Sequence, residues 1–451
     1  MTTPQHTLPG PNTAASLAGV ARHGFLDHVG RTWRRYGDTF ELRMGIGAPV
    51  VAIHPDSVRE VNLTERRSFD KRASYDGVRK YLTGDGLVSS TGELWRRQRK
   101  LIAPLFTPKG VQQYAETFLA DALRVEQRWD RLAATGAAVE MGEEMMELTA
   151  SIIVRAMFGA QADTDIVRMK SHVETMISYV TRRMGPHLPD WLPTPATRAY
   201  RLARDDVHAY INGIIAERTA AGSVQASADH LPDLLDRLMA ARDEQGRPMS
   251  DALLRDESIT VFFAGHETTA RTLSATWAAL AVNPDVAARL HAELDEVLGD
   301  RTPTVADLHR LPYTLRVIKE VLRLYPAAPF YARDAIEAAR VGGFDVPAGT
   351  SVLLSPYYTH RHPDFWDDPE RFDPDRFTPE AEAGRHPQAY HPFATGERVC
   401  IGNHFSLLES HLLLAVLARR FAPELVGSMP RWTMEGVLVP AGGLPMRVVR
   451  R

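Results

Sequence analysis

Phe393-Ala394-Thr395-Gly396-Glu397-Arg398-Val399-Cys400-Ile401-Gly402 leads into a strongly helical stretch, Phe405 to Phe421, and carries the one cysteine of a 451-residue chain. A thiolate placed just before a helix N-terminus gains from the partial positive charge there and from free backbone N–H groups. The pKa of Cys400 is therefore expected to be lowered. Gly396 and Gly402 would let backbone approach a flat partner closely. Two other readings of the same residues stay open. One is a buried cysteine serving as a small hydrophobe. The other is the nucleophile of a cysteine hydrolase, for which the chain's 17 histidines leave a base available.

A lone cysteine excludes an intramolecular disulfide, a multi-cysteine zinc site and an all-cysteine iron-sulfur cluster within the chain. With 53 Lys plus Arg against 56 Asp plus Glu, the net charge of -3 gives no global basic field, and nucleic acid is not expected as the main partner. A hydrophobic share of 44% is that of an ordinary globular protein, which excludes disordered and fibrous classes. The N-terminus holds no Lys or Arg before Arg22, and Pro9, Gly10 and Pro11 interrupt it before an apolar run builds up. It reads as neither secretory signal nor membrane anchor. No window has the roughly 18 uninterrupted apolar residues of a spanning helix, so a soluble, cytoplasmic protein is expected.

Upstream of the cysteine loop lies a long helical segment. Ser250 is its N-cap and Asn283-Pro284 its stop, and at about 1.5 Å per residue it would span about 48 Å. Its middle, Val261-Phe262-Phe263-Ala264-Gly265-His266-Glu267-Thr268-Thr269-Ala270, puts Gly and two Thr where Ala or Leu would be better helix formers. Such residues can loosen the helical ladder through Gly or through hydroxyl back-bonding, and distorted helix centres often serve a site. Most of the chain from about Trp95 to Phe421 has helical periodicity. Strand-like runs occur at Thr39 to Met44 and Val50 to Ile53, around a turn with Gly45 and Gly47, at Val341 to Leu354, and at Trp432 to Val449. Residues 1–16 read as a loosely held tail. The expected fold is mainly α with small β-sheets, an α+β arrangement in which residues 17–451 form a single large domain.

These motifs together resemble the cytochrome P-450 superfamily. Phe393, Gly396, Arg398, Cys400 and Gly402 fill the Phe-x-x-Gly-x-Arg-x-Cys-x-Gly pattern of its haem-ligand loop. Ala264-Gly265-His266-Glu267-Thr268-Thr269 is similar to the oxygen-activation motif of the family's long central helix. Glu320-Val321-Leu322-Arg323 matches its Glu-x-x-Arg helix, and Trp95 with Arg99 its Trp-x-x-x-Arg, following Gly84-Asp85-Gly86-Leu87. Pro374-Asp375-Arg376-Phe377 matches the segment completing a Glu-Arg-Arg triad. Pro369-Glu370-Arg371-Phe372 spells that last motif more literally, yet the family's order selects Arg376 over Arg371.

The resemblance implies haem b, with Cys400 as the axial thiolate of its iron and Phe393 and the glycines packed around the sulfur. It assigns Trp95, Arg99 and Arg398 to the haem propionates, and Arg333 joins them; Arg suits carboxylates through its planar fork. Ala264 leaves room above the iron. Glu267 and Thr268 form the acid-alcohol pair that relays protons to bound dioxygen, whereas His266 serves packing and Thr269 is structural. Glu320, Arg323 and Arg376 make a buried network that supports folding. Of the cluster Arg96, Arg97, Arg99 and Lys100, Arg99 turns inward, and the others contribute to a basic face that docks an acidic electron donor.

The implied activity is a monooxygenase acting on a hydrophobic small molecule such as a fatty acid, terpenoid or steroid-like compound. Largely apolar stretches favour such a substrate: Tyr75, Tyr81, Leu82, Leu87 and Val88, then Met176, Ile177, Val180, Met184, Trp191 and Leu192. No Gly-x-Gly-x-x-Gly follows a strand, so electrons are expected from a separate ferredoxin, flavodoxin or reductase. A monomer is expected. The alternatives are a peroxide-driven or non-oxygenating haem-thiolate enzyme and a non-catalytic haem protein; the intact Glu267-Thr268 pair argues against the first.

Overall fold

The computed structural model describes residues 8–45, 47–159, 166–183, 188–222 and 232–451. Its axis is one helix, Asp251–Val282, capped by the Ser250 hydroxyl on the Leu253 N–H. Nearly every turn is buried, as expected of a helix threaded through the middle of a large α-rich body. Its centre is unbroken. The hydroxyls instead bond back along the helix, Thr268 to the Ala264 carbonyl at 2.7 Å and Thr272 to the Thr268 carbonyl at 3.0 Å. Gly265 has a packing cause: a Cβ there would stand 3.0 Å from Ile153 Cδ1. The missing side chain lets the helix Met141–Phe158 close on the central helix, where Thr149 donates to the His266 carbonyl at 2.8 Å.

The helix Asn403–Ala418 packs beside the helix Ala115–Thr135 and carries a continuous buried run, Leu412 to Ala418. Trp129 anchors this core edge-on to Trp277 and Phe421, with its indole N–H on Glu144 at 2.7 Å.

The sheets are small and join distant segments. A five-stranded sheet runs in the spatial order Thr39–Glu41, Val50–Ala52, Ser351–Leu354, Tyr331–Ala335, Phe69–Asp70. Its first two strands pair antiparallel around the glycine turn, and Val50–Ala52 runs parallel to Ser351–Leu354. The region Val341 to Leu354 resolves into a hairpin, Ala339–Val341 with Phe344–Val346, and the strand Ser351–Leu354. The C-terminal run divides likewise into the hairpin Trp432–Glu435 with Val437–Pro440 and the strand Pro445–Arg447. Among the described residues, no helix is long and apolar enough to cross a membrane.

Part of the N-terminal stretch, residues 8–16, lies within the described residues. A helix begins at Thr13, capped by Asn12 on the Ala15 N–H at 2.9 Å, and the Pro9 carbonyl accepts the Glu41 N–H at 2.8 Å. Backbone hydrogen bonds of this kind tie the segment to the first strand, which the polar composition of the stretch concealed.

Candidate active site

The cysteine loop folds back on itself before its helix starts. Cys400 N–H donates to the Phe393 carbonyl at 2.9 Å, and a single 3-10 turn, Gly396–Arg398, lies between them. Gly396 has φ 75°, and a Cβ there would fall 2.2 Å from the Asn62 carbonyl oxygen. Glycine is thus demanded by a left-handed backbone and by a neighbouring chain segment. Gly402 is the residue beside the sulfur: a Cβ there would lie 3.9 Å from Cys400 Sγ.

Cys400 is exposed by area, yet its thiol is desolvated by the surrounding protein. Burial pushes the thiol up, while the Gly402 N–H and the charges of Arg99 and Lys71 pull it down. The expected lowering is therefore corrected: loss of water around the sulfur outweighs the helix end.

Cations gather near the thiol. Arg398 stacks its guanidinium 3.8 Å over the Trp95 ring, donates to the Ser90 carbonyl at 2.9 Å and pairs with Asp70. Burial pushes it down to about 10. Arg333, 3% exposed on the strand Tyr331–Ala335, donates to the Ala332 carbonyl at 2.8 Å. Lys71 donates to the Val88 carbonyl at 2.9 Å and lies over the Tyr75 ring. Desolvation, then the charges of Arg333 and Arg398, hold Lys71 well below the usual lysine range. Trp95, Asp70, Arg333 and Arg398 line a cavity of about 280 Å³.

Asp70 pairs with Arg398 and attracts Lys71, but Arg333 and Arg398 both repel Lys71, which leaves an excess of positive charge among partly desolvated groups. A planar group with two carboxylates corrects that balance, so these residues fit haem. No motif singles out Lys71, which sits between a two-residue strand and a short turn. Only its position in the fold reveals it.

On the central helix, Ala264 and Thr268 lie one turn apart on one face. Glu267 is partly buried beside Arg271, whose Nη2 reaches Oε1 at 3.3 Å. Burial pushes Glu267 up and Arg271 opposes it. His266 turns into the core, stacked on Phe262 with Nδ1 2.8 Å from the Phe262 carbonyl, and burial lowers it to about 4.

Glu320 and Arg323, both fully buried, pair through two hydrogen bonds of 2.8 and 2.7 Å. Arg323 also donates to the carbonyls of His360, Pro369 and Arg371. Arg376 Nε lies 3.5 Å from Glu320 Oε1, whereas Arg371 points outward with its side chain 66% exposed.

Two parts of the expected arrangement differ. Arg97 and Lys100 pair with Asp243 and Glu244 of this chain, so they are not free basic surface. Along the apolar stretches, Leu82, Leu87, Met176 and Val180 are buried, Trp191 is 77% exposed, and Met184 lies outside the described residues.

Known proteins resemble this chain over nearly its whole length. The family model described as Cytochrome P450 matches residues 10–445. Cyclooctat-9-en-7-ol 5-monooxygenase of Streptomyces melanosporofaciens is 34% identical, over 93% of this chain and 92% of its own. Pentalenene oxygenase of Streptomyces avermitilis is 32% identical, over 92% and 91%. The crystal structure of the cytochrome P450DA heme domain superposes with a TM-score of 0.88 at 27% identity, covering 99% of this chain and 98% of that one.

Proposed function

The chain belongs to the cytochrome P450 family, a haem-thiolate monooxygenase of hydrophobic small molecules with haem b as its cofactor, and from that premise we propose that its substrate is a terpenoid. Support comes from the relatives named cyclooctat-9-en-7-ol 5-monooxygenase and pentalenene oxygenase and from the apolar stretches in which Leu82, Leu87, Met176 and Val180 are buried. The reaction uses dioxygen and electrons from a redox partner. The finer proposal is a separate ferredoxin, flavodoxin or reductase, with residues 17–451 acting as one domain in a cytoplasmic monomer.

The observation that carries the reading is the Cys400 thiol standing among cations, with the charges of Arg99 and Lys71 acting on it and those of Arg333 and Arg398 acting on Lys71. Bound haem supplies the iron at which dioxygen is activated for insertion of one oxygen atom into the substrate. Every remaining task falls to side chains. Cys400 Sγ would ligate as thiolate, with the Gly402 N–H and Arg99 favouring the charge. Arg398, Arg333, Lys71, Arg99 and Trp95 would hold its two carboxylates, and Phe393 and the loop glycines would shape the space around the sulfur. Ala264 keeps the face of the central helix clear for substrate. Thr268 Oγ1, now donating to the Ala264 carbonyl, is the hydroxyl that passes protons, and the Glu267 carboxyl supplies them. Glu320, Arg323 and Arg376 brace the fold behind the loop.

The ferrous-CO spectrum tests the ligand. A strongly red-shifted Soret band that disappears in Cys400→Ala is expected; an ordinary band, or one unchanged in the variant, would overturn the enzyme reading. Substrate class is read by spin-state shifts across terpenoid, fatty-acid and steroid panels. Shifts confined to fatty acids would replace the terpenoid proposal.

A further inference from the structure

Between the strand Phe69–Asp70 and the helix Gly92–Ile102, residues 84–90 form a largely buried turn whose two sides meet different parts of the molecule. Backbone bonds close it. Gly86 N–H donates to the Thr83 carbonyl at 3.0 Å, and the N–H groups of Ser89 and Ser90 donate to the Gly86 carbonyl at 3.0 and 2.9 Å. The Ser89 hydroxyl adds a bond to the Gly84 carbonyl at 2.7 Å. A turn tied at so many points is displaced as one piece.

One side lies on the central helix. Asp85 N–H donates to Asp256 Oδ2 at 2.9 Å and Leu87 N–H to Glu257 Oε2 at 3.1 Å, so two consecutive acids take two N–H groups spaced two residues apart. Gly86, between them, has no room for a side chain: a Cβ would fall 2.0 Å from Thr260 Oγ1 and 2.8 Å from the Asp256 carbonyl oxygen. The other side meets two of the cations assigned to the haem carboxylates. Lys71 Nζ donates to the Val88 carbonyl at 2.9 Å, and Arg398 Nη1 to the Ser90 carbonyl at 2.9 Å. Adjacent residues, Leu87 and Val88, thus make the bond to Glu257 and the bond to Lys71.

Packing alone does not call for an acid at this contact. Glu257 is 1% exposed, and among the described residues its Oε1, the Thr260 Oγ1 and the Gln98 Oε1 have no hydrogen-bond partner. Unpartnered buried polar atoms cost stability, and an apolar side chain would fill the same space without that loss. What an apolar side chain lacks is the acceptor that fixes Leu87.

We propose that Glu257 is a positioning residue for haem: through the turn 84–90 it sets where Lys71 and Arg398 stand to hold the haem carboxylates. The inference rests on the role given above to those two cations. Without the acceptor, the Leu87 N–H is left unpaired against the central helix, the turn moves off, and the Val88 and Ser90 carbonyls carry the two cations with them. Arg398 then keeps Asp70 and the Trp95 ring, whereas Lys71 is left with the Tyr75 ring and the charge of Asp70, so more of the effect passes through Lys71.

Transfer of haem from the loaded protein to an acceptor protein, with the reduction potential of the iron, tests this. Glu257→Leu is expected to speed transfer about tenfold and to lower the potential, because the haem carboxylates lose nearby positive charge. Glu257→Gln keeps an acceptor for the Leu87 N–H and stays near wild type in both. In a Lys71→Met background the added effect of Glu257→Leu shrinks to about twofold or less, since the two residues act in series. Gly86→Ala forces the turn away from Thr260 with Glu257 intact; it speeds transfer in the same Lys71-dependent way and carries the test where Glu257→Leu does not fold. An effect of Glu257→Leu that is equally large with and without Lys71, or Glu257→Gln losing haem as fast as Glu257→Leu, overturns the proposal. Unchanged transfer in Lys71→Met alone overturns the cation role and this inference with it, whereas fast transfer in Lys71→Met beside wild-type behaviour in Glu257→Leu overturns the inference alone.

Discussion

Two polar groups on the central helix, half-buried Thr268 and buried Glu257, are satisfied to different extents. Thr268 is satisfied locally by the Ala264 carbonyl at 2.7 Å, so losing its hydroxyl leaves the helix intact. In Thr268→Ala, haem content and substrate binding are expected to remain, with electron use uncoupled from product and peroxide released. Product and peroxide measured per electron pair check this, and unchanged coupling would remove Thr268 from the relay. Glu257, 1% exposed, accepts the Leu87 N–H at 3.1 Å, and its Oε1 has no hydrogen-bond partner. Burial pushes it up to about 8 from 4.5. The folded state then keeps this proton while the unfolded chain loses it. Below about pH 4.5 the group has no effect on stability; from there to about pH 8 folding becomes progressively less favourable, and above that the cost is constant. Glu257→Gln removes that slope, so the variant is expected to gain stability over wild type by on the order of a few kcal/mol as pH rises from 5 to 8.5. Urea unfolding at both pH values measures the difference.

The Glu-x-x-Arg helix and the segment after it act as one braced element. Glu320 binds Arg323 twice and also accepts the Asp373 N–H at 2.7 Å. Arg323 satisfies three carbonyls of the connecting chain. Removing one partner leaves a buried charge uncompensated, so Glu320→Ala is expected to cost about 3–5 kcal/mol. Arg371→Ala, at an exposed side chain, should stay within about 0.5 kcal/mol, and Arg376→Ala should fall between. Chemical denaturation of the haem-loaded variants gives the ranking, and an Arg371 effect larger than that of Arg376 would reverse the assignment. Local spelling favoured Arg371, because Pro369-Glu370-Arg371-Phe372 is the more literal match. Position in the fold separates the two arginines: Arg371 is exposed beside Asp373, whereas Arg376 Nε lies 3.5 Å from Glu320 Oε1.

The whole molecule assembles its cleft edge from segments hundreds of residues apart: Lys71, Trp95, Arg333 and Arg398. Their mutual repulsion is a cost carried by the haem-free protein and offset by a dianionic ligand. Replacing Lys71 or Arg333 by Met is therefore expected to raise the melting temperature of the haem-free form and to speed haem loss from the loaded form. Calorimetry of both forms and transfer of haem to an acceptor protein check the two signs. A variant that destabilises both forms equally would assign these cations to packing instead.

Periodicity and capping are local properties, and they were enough to read the 32-residue central helix, its cap at Ser250 and its stop at Asn283. The cysteine loop, the Glu267-Thr268 pair and the Glu-Arg helix stood out for a different reason: each is a short contiguous run that resembles a family motif. Other features depended on groups remote in sequence. Gly396 answers to the Asn62 carbonyl and Gly265 to Ile153. Lys71 joins the cation edge only because the strand Phe69–Asp70 pairs with Tyr331–Ala335, and the direction of the Cys400 pKa follows from the water that folding removes. Burial and long-range pairing are sums over the folded chain, so no window of sequence contains them.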